Sequence, residues 1–279
     1  MLFFFAILSG LFYTGQGLLT RYLLKGNKDA WAFSFYFSFV GALVSLPFML
    51  ANLKVANSVS AWSLIILIGF LIVAQNLLSF KSSNFIEASI TGTISKFRLV
   101  WVFILEVIIF KEIFSLNKLL GVLLSVLAGV IIIQGIKKPK SIKGVLLALS
   151  ATIFYAIVIM FYKILFTSFN SQSLTFFIFA IPALLNFLIM PQAPQRIYNL
   201  IKENGKVVLL ACSLGAFANL AMNHSLSIGD ATKTLVIIES FLIVALVGEH
   251  FFLKEKSHVV IKLLAVIFAI TGAVLIRLS

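Results

Sequence analysis

The chain has little of what soluble proteins and enzymes are rich in. Only 11% of its 279 residues are charged, against about 25% in an ordinary soluble domain. Acidic side chains are scarcest, nine against 22 basic ones. One cysteine, Cys212, excludes an intrachain disulfide and any cysteine-based metal site. His224, His250 and His258 lack the spacing of zinc ligands. No Gly-x-Ser-x-Gly elbow and no phosphate-cradling glycine loop occurs. Catalytic residues, metal and cofactor are therefore all expected to be absent, and nothing in the chain binds ATP to drive work. The net charge of +13 does not read as nucleic-acid binding, because the basic residues are scattered among short loops.

Apolar sequence fills the space. Hydrophobic residues make up 61% of the chain, more than a soluble core can hide. Ten segments approach the ~20 apolar residues a membrane span needs: 2–24, 31–51, 61–80, 86–110, 114–136, 143–166, 172–190, 206–226, 231–253 and 257–277. They are long continuous runs, so helices and not barrel strands are expected. The connection at 191–205 is the longest expected loop, too short for a soluble catalytic domain. The apolar start MLFFFAIL, without a basic leader or a cleavage site, reads as a first span.

The sequence also repeats itself. A shift of 143 residues lays Asp230-Ala231 on Glu87-Ala88, Thr234 on Thr91, Glu249 on Glu106, Glu255 on Glu112, Gly272 on Gly129 and Asn219 on Asn76. Near the start of each half the shift is 142, and Phe154-Tyr155 falls on Phe12-Tyr13. Five spans per half is an odd number, so the second copy inserts upside-down. The expected fold class is an all-α integral membrane protein of ten transmembrane helices in two inverted five-helix repeats, residues 1–137 and 138–279. Loops after the odd-numbered spans carry 14 Lys and Arg against six on the other side, which places both termini outside the cytoplasm.

Charge within a span is costly and marks function or internal pairing. In span 4, Glu87, Thr91, Ser95, Arg98 and Glu106 share one helical stripe, which must face the bundle interior or water. Arg98 lies too deep to snorkel, and its fork suits a carboxylate or phosphate. Internal pairing, with Glu106 or a group on another span, is the alternative. Lys96 lies off the stripe, and its repeat mate is Glu239. Opposite charges at matched positions are expected to pair across the halves. Asn76, Asn219 and Asn223 can bond a substrate or glue helices together. Tyr13 and Tyr155 can line an aromatic pocket or pack. Pro47 and Pro182, both in the second span of a half, are candidate gating bends.

The stretch FKEIFSLNKLLGVLLSVLAGVIII at 110–133, echoed by LKEKSHVVIKLLAVIFAITGAVLI at 253–276, resembles the end of an EamA-type repeat. That family belongs to the drug/metabolite transporter superfamily. Lys precedes the acid in both copies, where the family usually has Gly. The resemblance implies a multi-pass secondary transporter of the cell membrane, with a central cavity between the halves. It also implies termini in the cytoplasm, against the loop charges. The expected partners are a small-molecule substrate, the lipid bilayer, and a proton or other ion as candidate coupling partner. An amino acid-like metabolite is the leading substrate class, with export among the open directions. A phosphate-bearing or nucleotide-sugar substrate and a non-transporting membrane subunit are the alternatives.

Overall fold

A computed structural model describes residues 1–24, 29–82, 85–86, 94–111, 115–134 and 141–241, with seven positions between 264 and 275. Among the described residues every regular element is helical. The helices are α1 (Leu2–Leu24), α2 (Ala30–Ala51), α3 (Val59–Ser82), α4 (Phe97–Phe110) and α5 (Leu116–Gln134). In the second half they are α6 (Ile142–Leu165), α7 (Ser171–Ile189), α8 (Ala193–Ser227) and α9 (Ala231–Ser240). Six of them, α1 to α3 and α6 to α8, contain stretches long and apolar enough to cross a membrane. Leu50, Ile108 and Leu188 are each more than 60% exposed on the outer surface. An aliphatic exterior of this kind needs lipid as its solvent.

Four helices start on side chains that accept from the first turn. Asp29 accepts from the N–H groups of Trp31 and Ala32, Ser141 from Gly144, Asn170 from Ser173, and Asp230 from Lys233. Such caps end apolar runs sharply by satisfying the orphan donors of a helix start.

The packing exchanges between halves. Helix α1 lies against α8 as α3 lies against α6, and α1 meets α9 as α4 meets α6. Helix α2 packs on α7, and α4 on α9. Small residues allow close approach: a Cβ on Gly272 would stand 2.7 Å from the Gly121 carbonyl.

Three sequence expectations change. The 191–205 loop is largely helix, because α8 runs for 35 residues from Ala193 and bends at Asn204 (φ −144°). The proline of PQAP sits in the first helical turn, where a missing N–H costs nothing. Span 4 is not one helix over 86–110. A turn falls at Lys96, whose carbonyl accepts from Leu99 N–H at 3.0 Å, and α4 begins at Phe97. The Glu87 and Thr91 end of the expected stripe lies outside the described residues. In span 9, α9 ends at Ser240 with a turn at Phe241, and residues 242–253 lie outside the described ones.

Glu87, Thr91, Glu112, Glu249, His250, Glu255 and His258 lie outside the described residues. The positions Leu264, Ile267, Phe268, Thr271, Gly272, Val274 and Leu275, within the expected tenth span, are helical.

Candidate functional site

Where the halves meet, helices α1, α2, α3, α6, α7 and α8 and the segments around Ser95 and Glu239 enclose a cavity of about 440 Å³. Its wall combines tyrosines, aliphatic and aromatic groups, amides and one ion cluster.

That cluster forms where these two segments meet. Lys96 Nζ donates to Glu239 Oε2 at 2.7 Å and to the Glu239 backbone carbonyl at 3.2 Å. The carbonyl belongs to the last turn of α9, so the ammonium also sits at a helix C-terminus, where positive charge is favoured. Arg98 donates to the other carboxylate oxygen, Oε1. Its guanidinium carbon stands 4.6 Å from the centre of the Tyr155 ring, a cation–π contact. The repeat mates Lys96 and Glu239 thus pair across the halves. The alternative partner, Glu106, is elsewhere: it binds Lys163 Nζ at 2.6 Å and the start of α9. Eight residues of helix separate Arg98 from Glu106 by about 12 Å, too far for one contact.

Six of the eight candidate residues line the cavity: Arg98, Glu239, Asn76, Asn219, Tyr13 and Tyr155. The other two stand behind it. Lys96 is 1% exposed and reaches the wall only through Glu239. Asn223 is fully buried and donates to Thr175 Oγ1 at 2.9 Å, which fits helix glue. Asn219, which lines the cavity, donates to the Gly215 carbonyl of its own helix at 2.8 Å. His224 sits beyond, with Ser171 Oγ 3.3 Å from its Nδ1 and Phe5 edge-on.

Met222 and Tyr162 are among the lining residues that escaped the sequence reading. Met222 receives both tyrosine hydroxyls on its sulfur, Tyr155 at 3.4 Å and Tyr13 at 3.7 Å. Tyr162 stands seven residues after Tyr155 on the same face of α6. Helical spacing contained the signal, since Met222 follows Asn219 by three residues.

The sequence profile of the EamA-like transporter family matches residues 1–134 and again residues 142–278. The chain belongs to the EamA-like transporter family. Like its relatives it is a membrane transporter, with a small-molecule substrate and the bilayer as its partners. No curated protein matches the chain. A solved structure, described only as "Crystal structure of protein", is similar at a TM-score of 0.77 and 13% identity, over 99% of this chain and 96% of its own. At that identity the likeness speaks for the fold alone.

Proposed function

We propose that this EamA-family chain is a ten-helix secondary transporter of the cell membrane. Its repeats, 1–137 and 138–279, are inverted relative to each other and rock about the cavity to alternate access. The cargo is a small polar metabolite bearing a carboxylate, in the manner of an amino acid. The exchangeable packing of the halves supports the inverted arrangement, because a two-fold axis in the membrane plane pairs α1–α8 with α3–α6. The turn at Lys96 lies against the C-terminal end of α9, and such helix ends and charges gathered at one place also fit a transporter.

One observation carries the substrate reading. Arg98 is the only basic side chain among the described cavity-lining residues, and Tyr155 holds its planar fork. A guanidinium presented this way takes a carboxylate in two-point contact. A phosphate-bearing substrate calls for a second free cation at the wall. Lys96 does not supply it, being withdrawn behind Glu239.

The test is counterflow of radiolabelled metabolites in proteoliposomes, with anionic, zwitterionic, neutral and cationic candidates, using native protein and Arg98→Gln. Carboxylate-bearing compounds should move, and the variant should lose them. Movement of neutral or cationic compounds alone would overturn the substrate reading. Imposing a proton gradient in the same vesicles tests a proton as the coupling ion.

A further inference from the structure

Glu239 has two carboxylate oxygens and two different cations on them. Lys96 holds Oε2 from the protein side and reinforces that grip through the Glu239 carbonyl. Arg98 holds Oε1 from the cavity side. The side chains differ in access accordingly: 2% exposed for Lys96, 10% for Glu239 and 23% for Arg98. A molecule in the cavity reaches Arg98 and one edge of Glu239, never Lys96.

Charge does not balance here. Among the described groups two basic side chains share one carboxylate. Excess charge at membrane depth is unfavourable until a counter-ion joins it. Arg98 carries a second sign of incompleteness: its Nε is buried with no acceptor. A guanidinium whose fork is only partly used, next to an open cavity, is a seat for one more oxyanion.

We propose that Glu239 is a built-in stand-in for the substrate's carboxylate. In the empty cavity it occupies Arg98. An incoming carboxylate takes over the guanidinium, while Lys96 retains Glu239 and keeps it neutralised. The seat takes a single negative charge, because one carboxylate brings the cluster to neutrality and a second overshoots it. Lys96 is a positioning residue in this scheme, acting only through Glu239. The inference rests on the transport reading and narrows it to one charge.

The test measures ligand-dependent thermal stabilisation of the purified full chain in detergent at neutral pH. Three probes of similar shape are used: phenylacetate, phenylmalonate and 2-phenylethanol, carrying one, two and no negative charges. Native protein should bind phenylacetate more tightly than the other two. The double variant Lys96→Met/Glu239→Gln removes the stand-in together with its holder. It strands neither Lys96 nor Glu239, the two least exposed members of the cluster, and leaves Arg98 facing the cavity without its carboxylate. It should bind phenylacetate about tenfold more tightly, as expected for loss of an internal competitor worth about 1.4 kcal/mol. Arg98→Gln should abolish the stabilisation. Equal affinity of native protein and the double variant for phenylacetate overturns the stand-in, as does wild-type affinity in Arg98→Gln. Counterflow by the native protein is scored separately, so loss of the stand-in and loss of the transport reading give different results.

Discussion

Two glutamates, buried Glu106 and partly buried Glu239, face opposite fates within the same bundle. Glu106 is 1% exposed and saturated. It accepts from Lys163 Nζ at 2.6 Å, from the Ala231 and Thr232 N–H groups at 2.9 and 3.1 Å, and from the Thr232 hydroxyl at 2.6 Å. A carboxylate seated on the first N–H groups of α9 also meets the positive end of that helix. Next to it, Lys118 pairs with Asp230, the cap of the same helix. Glu239 has two cations, only one of them out of reach of the cavity. Saturation marks a joint between halves; partial use beside open space marks a site.

That contrast breaks most visibly at Glu106. Glu106→Ala deletes the carboxylate that accepts from Lys163 and from the first N–H groups of α9, and should destabilise the protein by about 3–5 kcal/mol. Unfolding of the purified protein in detergent measures it. A loss under about 1 kcal/mol would mean that the saturated cluster is not a structural joint. Lys163→Met is the milder version. Glu106 keeps its three α9 donors, and the expected loss is about 1–3 kcal/mol. If Lys163→Met proved the more damaging of the two, the α9 contacts would not be what holds Glu106.

Arg98→Gln sharpens the comparison from the other side. Lys96 still holds Glu239, so stability should fall by about 1–3 kcal/mol, roughly the value of the lost contact with Tyr155 and the lost hydrogen bond to Glu239. Transport should fall at least about tenfold. Measuring unfolding and counterflow on the same preparation separates the two effects. Equal losses in Arg98→Gln and Glu106→Ala, in both assays, would erase the distinction between joint and site.

How much of this the sequence disclosed depends on what each residue's neighbours are. Span existence was legible because apolar length is a local property. The Lys96–Glu239 pair was legible because the repeat supplied a long-range restraint: opposite charges at matched positions need each other in lipid. The partner of Glu106 was not, since Lys163 and the start of α9 come from parts of the chain with no equivalence to it. The turn at Lys96 and the end of α9 before Phe241 were hidden as well, because neither proline nor glycine marks them. The helical 193–205 segment was missed for the opposite reason, its prolines reading as a turn when one of them opens a helix. Asn223 and Met222 show the same limit at side-chain scale. Both lie on α8 near Asn219, yet one turns to Thr175 and the other to the cavity.

The smallest effect is expected at a third inter-half contact, at the α2 start. Arg196 Nε donates to Asp29 Oδ2 at 2.5 Å, and the pair is nearly a third exposed. Burial raises the Asp29 pKa, but the Arg196 hydrogen bond and the Ala32 and Trp31 N–H groups outweigh it and hold the carboxyl below its ordinary value. A group whose pKa is depressed on folding stabilises above its unfolded pKa, about 3.9, and loses that contribution as pH falls through the folded value. Between pH 5 and 8 the pair therefore adds a constant amount, under about 1 kcal/mol at this exposure. Asp29→Asn keeps a good N-cap and deletes only the ion pair, so unfolding curves of native protein and variant should converge near pH 3. Asp29→Ala loses the cap as well and should stay about 1 kcal/mol below native protein even there. If Asp29→Asn matched Asp29→Ala at every pH, Arg196 rather than the cap would account for what Asp29 does. The contact would then belong with the joint at Glu106, a link between halves and not merely the start of a helix.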